Sequence, residues 1–136
     1  MTYLYHGSTT QNLKILETRK RYTPQGKIDY SAIYATTLPA FAAAHSFPWS
    51  TDEGVGLDVN DMKVDISVPI SMKDRLQVPV SIYRISSENF EHTEEELSGY
   101  TWHSITTAAV IEEVKYESVE IALKELGARL EYVKQI

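Results

Sequence analysis

Two short motifs carry the side chains in this sequence that are best suited to chemistry. Tyr5-His6-Gly7-Ser8 ends one strand-like run, and Ile33-Tyr34-Ala35-Thr36 ends a later one. A glycine lets a backbone approach a ligand because it has no Cβ, an imidazole exchanges protons near neutral pH, and a phenol offers a stacking face. If the two strand ends meet across a groove, these residues form a pocket for a flat heterocycle that carries a sugar.

These motifs resemble those of the ADP-ribosyltransferase family, which includes the poly-ADP-ribose polymerases, diphtheria-type toxins and many small bacterial and phage proteins. The resemblance implies NAD as the substrate. It also implies that His6 hydrogen-bonds a ribose hydroxyl, that the Gly7 backbone binds the nicotinamide amide, and that Tyr34 stacks on the nicotinamide ring. Ser8 caps the turn after His6 and is a further candidate for NAD contact.

The resemblance also implies a third element, a glutamate on a later strand whose charge stabilises the oxocarbenium-like transition state. Residues 100–104 look like that strand, and Thr101 stands where the carboxylate is expected. A hydroxyl can hold a ribose but cannot offset a developing positive charge. The alternative carboxylates are those of Glu112 and Glu113, and those of the acidic residues 94–96.

Because Thr101 stands in place of the expected glutamate, two function classes are possible. The first is an NAD-binding protein of the ADP-ribosyltransferase type, with His6, Tyr34 and Thr101 as catalytic residues, that transfers single ADP-ribosyl groups to a macromolecule such as a protein acceptor. The second is a catalytically inactive module that binds a nucleotide or another protein on the same fold. An RNA 2'-phosphotransferase activity is less well supported, because it needs several arginines in the cleft and only Arg75, Arg84 and Arg129 supplement those of residues 19–21.

Several other side chains have a plain structural interpretation beside a functional one. The basic residues 19–21 could reach the NAD pyrophosphate, or they could simply be solvated. Trp49 could cover a bound heterocycle from a lid, or it could pack back on its own domain. His45 and His103 are weaker ligand candidates than His6.

Composition limits the remaining possibilities. The 136 residues are enough for one domain, residues 1–136, with a single core. A net charge of -6 without a basic stripe disfavours nucleic acid as a general partner. The chain has no cysteine, and its four histidines do not share a helical face, so a metal site is not expected. No membrane-spanning or signal segment is recognisable, and we expect a cytoplasmic protein.

Periodicity predicts the elements that position the motifs. Alternation in residues 62–70 and 78–85 predicts two half-buried strands that pair with each other. Residues 2–5, 31–36, 100–104, 108–114 and 129–133 are further predicted strands. Helices are expected at residues 40–45, with Thr37 as the cap, and at residues 119–126, closed by Gly127. Residues 19–26 and 47–61 are predicted loops, the second a candidate lid, and residues 91–99 are predicted to form an exposed loop or a helical turn.

The fold expected from the resemblance is α+β, with two small antiparallel sheets that face each other around a cleft and short helices on the flanks. Periodicity alone predicts only a mixture of strands and helices.

Overall fold

A computed structural model describes residues 3–22, 28–92 and 100–134 of the chain, with only the backbone of residues 19–22, 28–31 and 51. The described strands are β1 (Tyr3–Ser8), β2 (Ile15–Leu16), β3 (Arg19–Tyr22), β4 (Ile28–Thr36), β5 (Gly56–Asn60), β6 (Lys63–Pro69), β7 (Val80–Ser86), β8 (Glu91–His92), β9 (Thr101–Ser104), β10 (Ala108–Tyr116) and β11 (Arg129–Val133). The α-helices are α1 (Pro39–Ala44) and α2 (Val119–Glu125), and 3-10 turns span Thr51–Glu53 and Ile70–Leu76.

The described strands form one large and one small sheet. The large sheet has eight strands in the order β2-β10-β7-β1-β4-β9-β8, with β3 also paired to β4, and all of its pairs are antiparallel. The small sheet has the order β11-β6-β5, and its β6–β11 pair is parallel. The expectation of an α+β fold with mostly antiparallel strands and few short helices is therefore confirmed. The sheets are not both small and antiparallel as expected, because one has eight strands and the other contains a parallel pair.

Two hydrophobic clusters lie on opposite faces of the large sheet. The first cluster contains the buried side chains of α1, α2, β6 and the Val80 and Ile82 side of β7. The second cluster contains Leu4 of β1, Ile33 and Ala35 of β4, and the Tyr83 and Ile85 side of β7, as well as other side chains. β7 thus has buried residues on both faces, which explains its nearly continuous apolar sequence.

The elements with clear sequence signals form as predicted. In β6, Val64, Ile66 and Val68 are buried while Lys63 and Asp65 are exposed, as alternation requires. The Ser118 hydroxyl caps α2 by accepting a hydrogen bond from the Ile121 amide at 3.1 Å. Gly127 follows α2 with a φ of 89°, which a glycine adopts without strain.

α1 begins without the predicted Thr37 cap. Its N-cap residue is Leu38, which makes no side-chain capping bond, and proline occupies the first turn. The hydroxyl of Thr36, two residues before the N-cap, instead accepts a hydrogen bond from the Leu38 amide at 3.1 Å. The helix is held mainly by burial, since all four of its alanines and Phe41 are buried.

Four other predictions about elements are wrong. Residues 19–26 were expected to form a loop, but Arg19–Tyr22 is a strand, and residues 47–61 include a 3-10 turn and β5. Residues 91–99 were expected to form a loop or a helical turn, but Glu91–His92 is strand β8. β6 and β7 do not pair, because β6 lies between β5 and β11 while β7 lies between β1 and β10. The 3-10 segment Ile70–Leu76 carries the chain from one sheet to the other.

Among the described residues, no helix combines the length and the apolar character that crossing a bilayer requires.

Candidate functional site

The strands that carry His6, Tyr34 and Thr101 are neighbours in the large sheet. β4 lies between β1 and β9, with Tyr5 opposite Thr36 and Tyr34 opposite His103. The Nδ1 atom of His6 lies 2.6 Å from the carbonyl oxygen of Tyr34. Because a carbonyl can only accept, Nδ1 carries the proton and donates it to this bond. The imidazole therefore ties the end of β1 to the backbone of β4.

The side chain of His6 belongs to the face of the second cluster. Along β1 it alternates with Tyr5, and it lies opposite Tyr83 of β7, just as Leu4 lies opposite Ile85. Leu4, Tyr83 and Ile85 are all members of that cluster. Strand alternation thus directs the imidazole toward the side of the sheet away from α1.

The side chain of Tyr34 belongs to the other face. Its neighbours along β4, Ile33 and Ala35, lie in the second cluster, so Tyr34 points the opposite way. His6 and Tyr34 are therefore brought together through a backbone carbonyl, while their rings leave opposite faces of one sheet. They do not face each other across two sheets.

Tyr34 heads a row of three polar side chains across β4, β9 and β8. Its ring centroid lies 6.4 Å from that of His103, with the ring planes inclined at 48°. His103 in turn lies opposite Glu91, and its Nε2 atom is 3.9 Å from a carboxylate oxygen of Glu91. Side chains directly opposite each other in a sheet share a face. We call the surface that carries Tyr34, His103, Glu91, Thr36 and Thr101 the Tyr34 face.

Thr101 lies on this face but below its surface. It pairs with Thr36, two residues from Tyr34, and only 9% of it is exposed. The exposed fraction of the His103 side chain is 16%, whereas that of Glu91 is 82%. In the described part of this row the carboxylate is therefore that of Glu91, at its solvent side.

The missing side chain of Gly7 makes room for α1. A Cβ at this position would lie 2.3 Å from the carbonyl oxygen of Ala42 and 2.9 Å from Cβ of Ser46. Both distances are far shorter than van der Waals contact, so only glycine lets the C-terminal half of α1 rest on β1. Because Gly7 and Tyr34 lie on the same side of the sheet, the end of α1 borders the Tyr34 face.

Ser8 caps a turn, as its residue type suggests. It is buried, and its hydroxyl accepts a hydrogen bond from the Thr10 amide at 3.0 Å. The segment after it is held by Glu113, whose Oε2 accepts from the Asn12 amide at 2.9 Å and from the Ser81 hydroxyl at 2.6 Å. Partial burial acts to raise the pKa of Glu113, but these bonds and the charge of Lys115 lower it on balance.

The other candidate carboxylates are not on the Tyr34 row. Glu113 faces the second-cluster side, opposite Tyr83, and Glu112 lies 3.7 Å from the guanidinium of Arg84. Residues 94–96 lie outside the described residues, and so do the side chains of the basic residues 19–21.

Aromatic rings line the end of α1. His45 packs edge-on against Phe41, with centroids 4.5 Å apart, and lies 5.6 Å from Trp49. Its Nδ1 donates to the Phe41 carbonyl at 3.1 Å. Desolvation lowers the pKa of His45 although the residue as a whole is exposed, and the bond to Phe41 opposes this shift. The imidazole is therefore neutral at pH 7.

Trp49 packs back on its own domain and is held there. Its indole N–H donates to the Ala44 carbonyl at 2.7 Å. The residues on both sides of Trp49 are fixed by Arg75, which donates to the Pro48 carbonyl at 3.0 Å and to the two carboxylate oxygens of Glu53 at 3.1 and 2.6 Å. The segment predicted as a lid is thus anchored at three points.

The sequence hypothesis did not include Glu91 and gave His103 little weight. These two residues lie next to Tyr34 because the short strands β8 and β9 pair beside β4. The sequence alone does not reveal the register of that pairing. Within the described part of the chain, no group of three or more metal-binding side chains converges. No protein-family model, no curated protein and no solved structure matches the chain.

Proposed function

We propose that this chain binds NAD, or a related nucleotide with a flat base and a ribose, on the Tyr34 face. The observation that supports this proposal best is the row of Tyr34, His103 and Glu91. It combines a stacking surface, a hydrogen-bonding ring and a carboxylate on adjacent strands. Sites for small ligands combine aromatic or apolar surface with a few polar groups that fix the orientation of the ligand.

Each group has a distinct role in the proposed complex. The Tyr34 phenol stacks on the base, and the His103 imidazole exchanges hydrogen bonds with ribose hydroxyls. The Glu91 carboxylate accepts a hydrogen bond from a second hydroxyl. His6 acts as a positioning residue, because its bond to the Tyr34 carbonyl fixes the strand from which the phenol projects.

The reaction proposed for this site is the transfer of one ADP-ribosyl group to a protein acceptor. The bond between the ribose C1′ and the nicotinamide nitrogen breaks, and nicotinamide leaves with the electron pair. A nucleophile of the acceptor then forms a bond to C1′ and loses its proton. The negative charge of Glu91 would stabilise the cationic sugar between these steps, a role that the Thr101 hydroxyl cannot fill.

Binding without turnover is the second candidate function. The observation that favours it is the solvent exposure of Glu91, 82% of whose side chain is accessible. Water screens an exposed charge and weakens its effect on a transition state. In this case the chain senses a nucleotide or presents it to another protein.

Calorimetric titration tests the binding step. We expect wild-type protein to bind both NAD and a non-hydrolysable analogue, and Tyr34→Ala to weaken binding by about tenfold or more, since base stacking is worth about 1–3 kcal/mol. Tyr3→Ala is the matched control, because Tyr3 lies at the far end of β1 and is 38% exposed. Absence of wild-type binding at millimolar NAD would refute the proposal.

Release of labelled nicotinamide then separates the two functions. Transfer predicts turnover in the wild type that is lost in Glu91→Gln while NAD still binds. Binding without chemistry predicts no release from either protein.

A further inference from the structure

In the part of the chain that the structure describes, no strand lies beside the outer edge of β10 over most of its length. β2 covers only Ala108 and Ala109, and the Lys14 carbonyl accepts a hydrogen bond from the Val110 amide at 3.0 Å. From Ile111 to Tyr116, β7 is the only strand that pairs with β10 among the described residues. This stretch therefore presents backbone donors and acceptors that are suited to another strand.

Apolar side chains are exposed along the same edge. Ile111 is 48% exposed and Val114 42% exposed, and Ile15 of the adjoining β2 is 55% exposed. Water contact with such side chains costs free energy that a second strand would recover.

The charges of β10 favour one particular partner, a second copy of the same strand. Two identical antiparallel strands pair symmetrically about one residue, because opposed positions must be of the same hydrogen-bonding type. If that residue is Glu112, Glu113 or Lys115, two identical charges lie directly opposite each other, which is destabilising. If it is Val114, Glu113 of each copy lies opposite Lys115 of the other.

We propose that two copies of this chain associate through β10, with the strands antiparallel and Val114 on the twofold axis. In this arrangement the two large sheets become one continuous sheet. Val114 packs against its own counterpart on one face, and two Glu113–Lys115 pairs form on the other.

Contacts within one chain already hold the two charged side chains in place. Oε2 of Glu113 is held by the Ser81 hydroxyl and the Asn12 amide, and the ammonium group of Lys115 donates to the Asn12 side chain. Both side chains project from the face that also carries Ser81 and Tyr83. Little side-chain entropy remains to be lost when the second copy arrives.

Cysteine cross-linking tests the register, because the natural chain has no cysteine. Opposed residues of antiparallel strands have Cα atoms about 4.5–5.5 Å apart, within the range of a disulfide. We expect Val114→Cys to form a covalent dimer under mild oxidation. Glu112→Cys lies opposite Tyr116 of the second copy, and Ile70→Cys is an exposed control elsewhere (49% exposed). Neither of these two variants should form a disulfide-linked dimer.

Sedimentation velocity over a concentration series tests the association itself. We expect the wild type to dimerise. In Val114→Lys the protein concentration at the midpoint of the monomer–dimer equilibrium should be at least about fivefold higher, because the two lysines lie opposite each other on the twofold axis. Circular dichroism checks that the variant folds, and Lys115→Glu provides a second disruption of the same interface. A wild type that stays monomeric at millimolar concentration, or equal cross-linking of all three cysteine variants, would overturn the proposal.

Discussion

At the scale of single residues, Gly7 shows most directly how local packing shapes the site. Replacing it with alanine places a Cβ against the Ala42 carbonyl oxygen, so α1 must move away from β1. We expect Gly7→Ala to lower the free energy of unfolding by about 1–3 kcal/mol, the usual cost of overpacking. Denaturant unfolding measures this change.

Gly56→Ala is the control for that substitution. A Cβ at Gly56 would meet only the hydroxyl of Ser67, at 2.8 Å, and a serine side chain can rotate away. Its loss of stability should therefore be smaller. Equal losses in the two variants would contradict the importance of the contact between β1 and α1.

Glu113 makes the anchoring of residues 9–13 dependent on pH. Its folded pKa is lowered, so the unfolded chain takes up the proton first, and the stabilisation is present above the unfolded pKa. It is lost as the pH falls from about 4.3, the ordinary value for glutamate, through the folded pKa. We expect Glu113→Gln to be less stable at pH 7 and to lose less stability on acidification.

The exposed Glu117 provides the control for this titration. Glu117→Gln should leave residues 9–13 anchored, because Glu117 makes none of these contacts. If Glu113→Gln and the wild type lose stability in parallel below pH 5, the carboxylate does not hold the loop.

The residue types of the candidate site could be read from the sequence, but their directions could not. The two motifs identify strand ends that do lie next to each other. The face on which each ring projects depends on the register of β1 with β7 and of β4 with β9, which is set by contacts distant in sequence. A shift of one residue in either pair would reverse the outcome.

At the scale of elements, Arg75 connects the 3-10 segment Ile70–Leu76 to the loop after α1. We expect Arg75→Ala to speed hydrogen exchange of the amides in residues 48–53 and to alter the fluorescence of Trp49. Both side chains of the Arg75–Glu53 pair are more than a third exposed, so global stability should change little.

Arg129→Ala is the control, because it removes an exposed arginine far from this loop in the sequence. Unchanged exchange in residues 48–53 of Arg75→Ala would show that the loop is fixed by Trp49 alone.

Elements whose own residues show alternation or helix caps could be predicted from the sequence. Strands that form only because a neighbouring strand lies beside them could not. β6 alternates cleanly, and α2 has both a serine cap and a terminal glycine. β3 consists of three basic residues and a tyrosine, and it is a strand because β4 lies beside it. β5 is short and partly exposed, and its pairing with β6 defines it.

At the scale of the whole molecule, the parallel pair of β6 and β11 determines the architecture. The two strands are separated by about half the chain, and α2 comes directly before β11. Sequence patterns give no distances over such a range, so β6 and β7 were expected to pair because they are close in sequence. The division into a large and a small sheet follows from contacts that only the folded chain reveals.

This architecture separates the two proposed surfaces. The Tyr34 face is at the β8 end of the large sheet, and the free edge of β10 is near its β2 end. We therefore expect Val114→Lys to weaken association without changing the affinity for NAD. Calorimetric titration of that variant measures this independence, and a tenfold loss of affinity would show that the two surfaces are coupled.

The most direct test of the central claim is a titration of isotope-labelled protein with NAD, followed by the chemical shifts of its backbone amides. Binding on the Tyr34 face predicts saturable shifts that are largest at Tyr34, Thr101 and His103, with Glu91 and Gly7 also affected. The small sheet of β5, β6 and β11 should remain unchanged. The absence of shifts at millimolar NAD, or shifts confined to the small sheet, would contradict the claim.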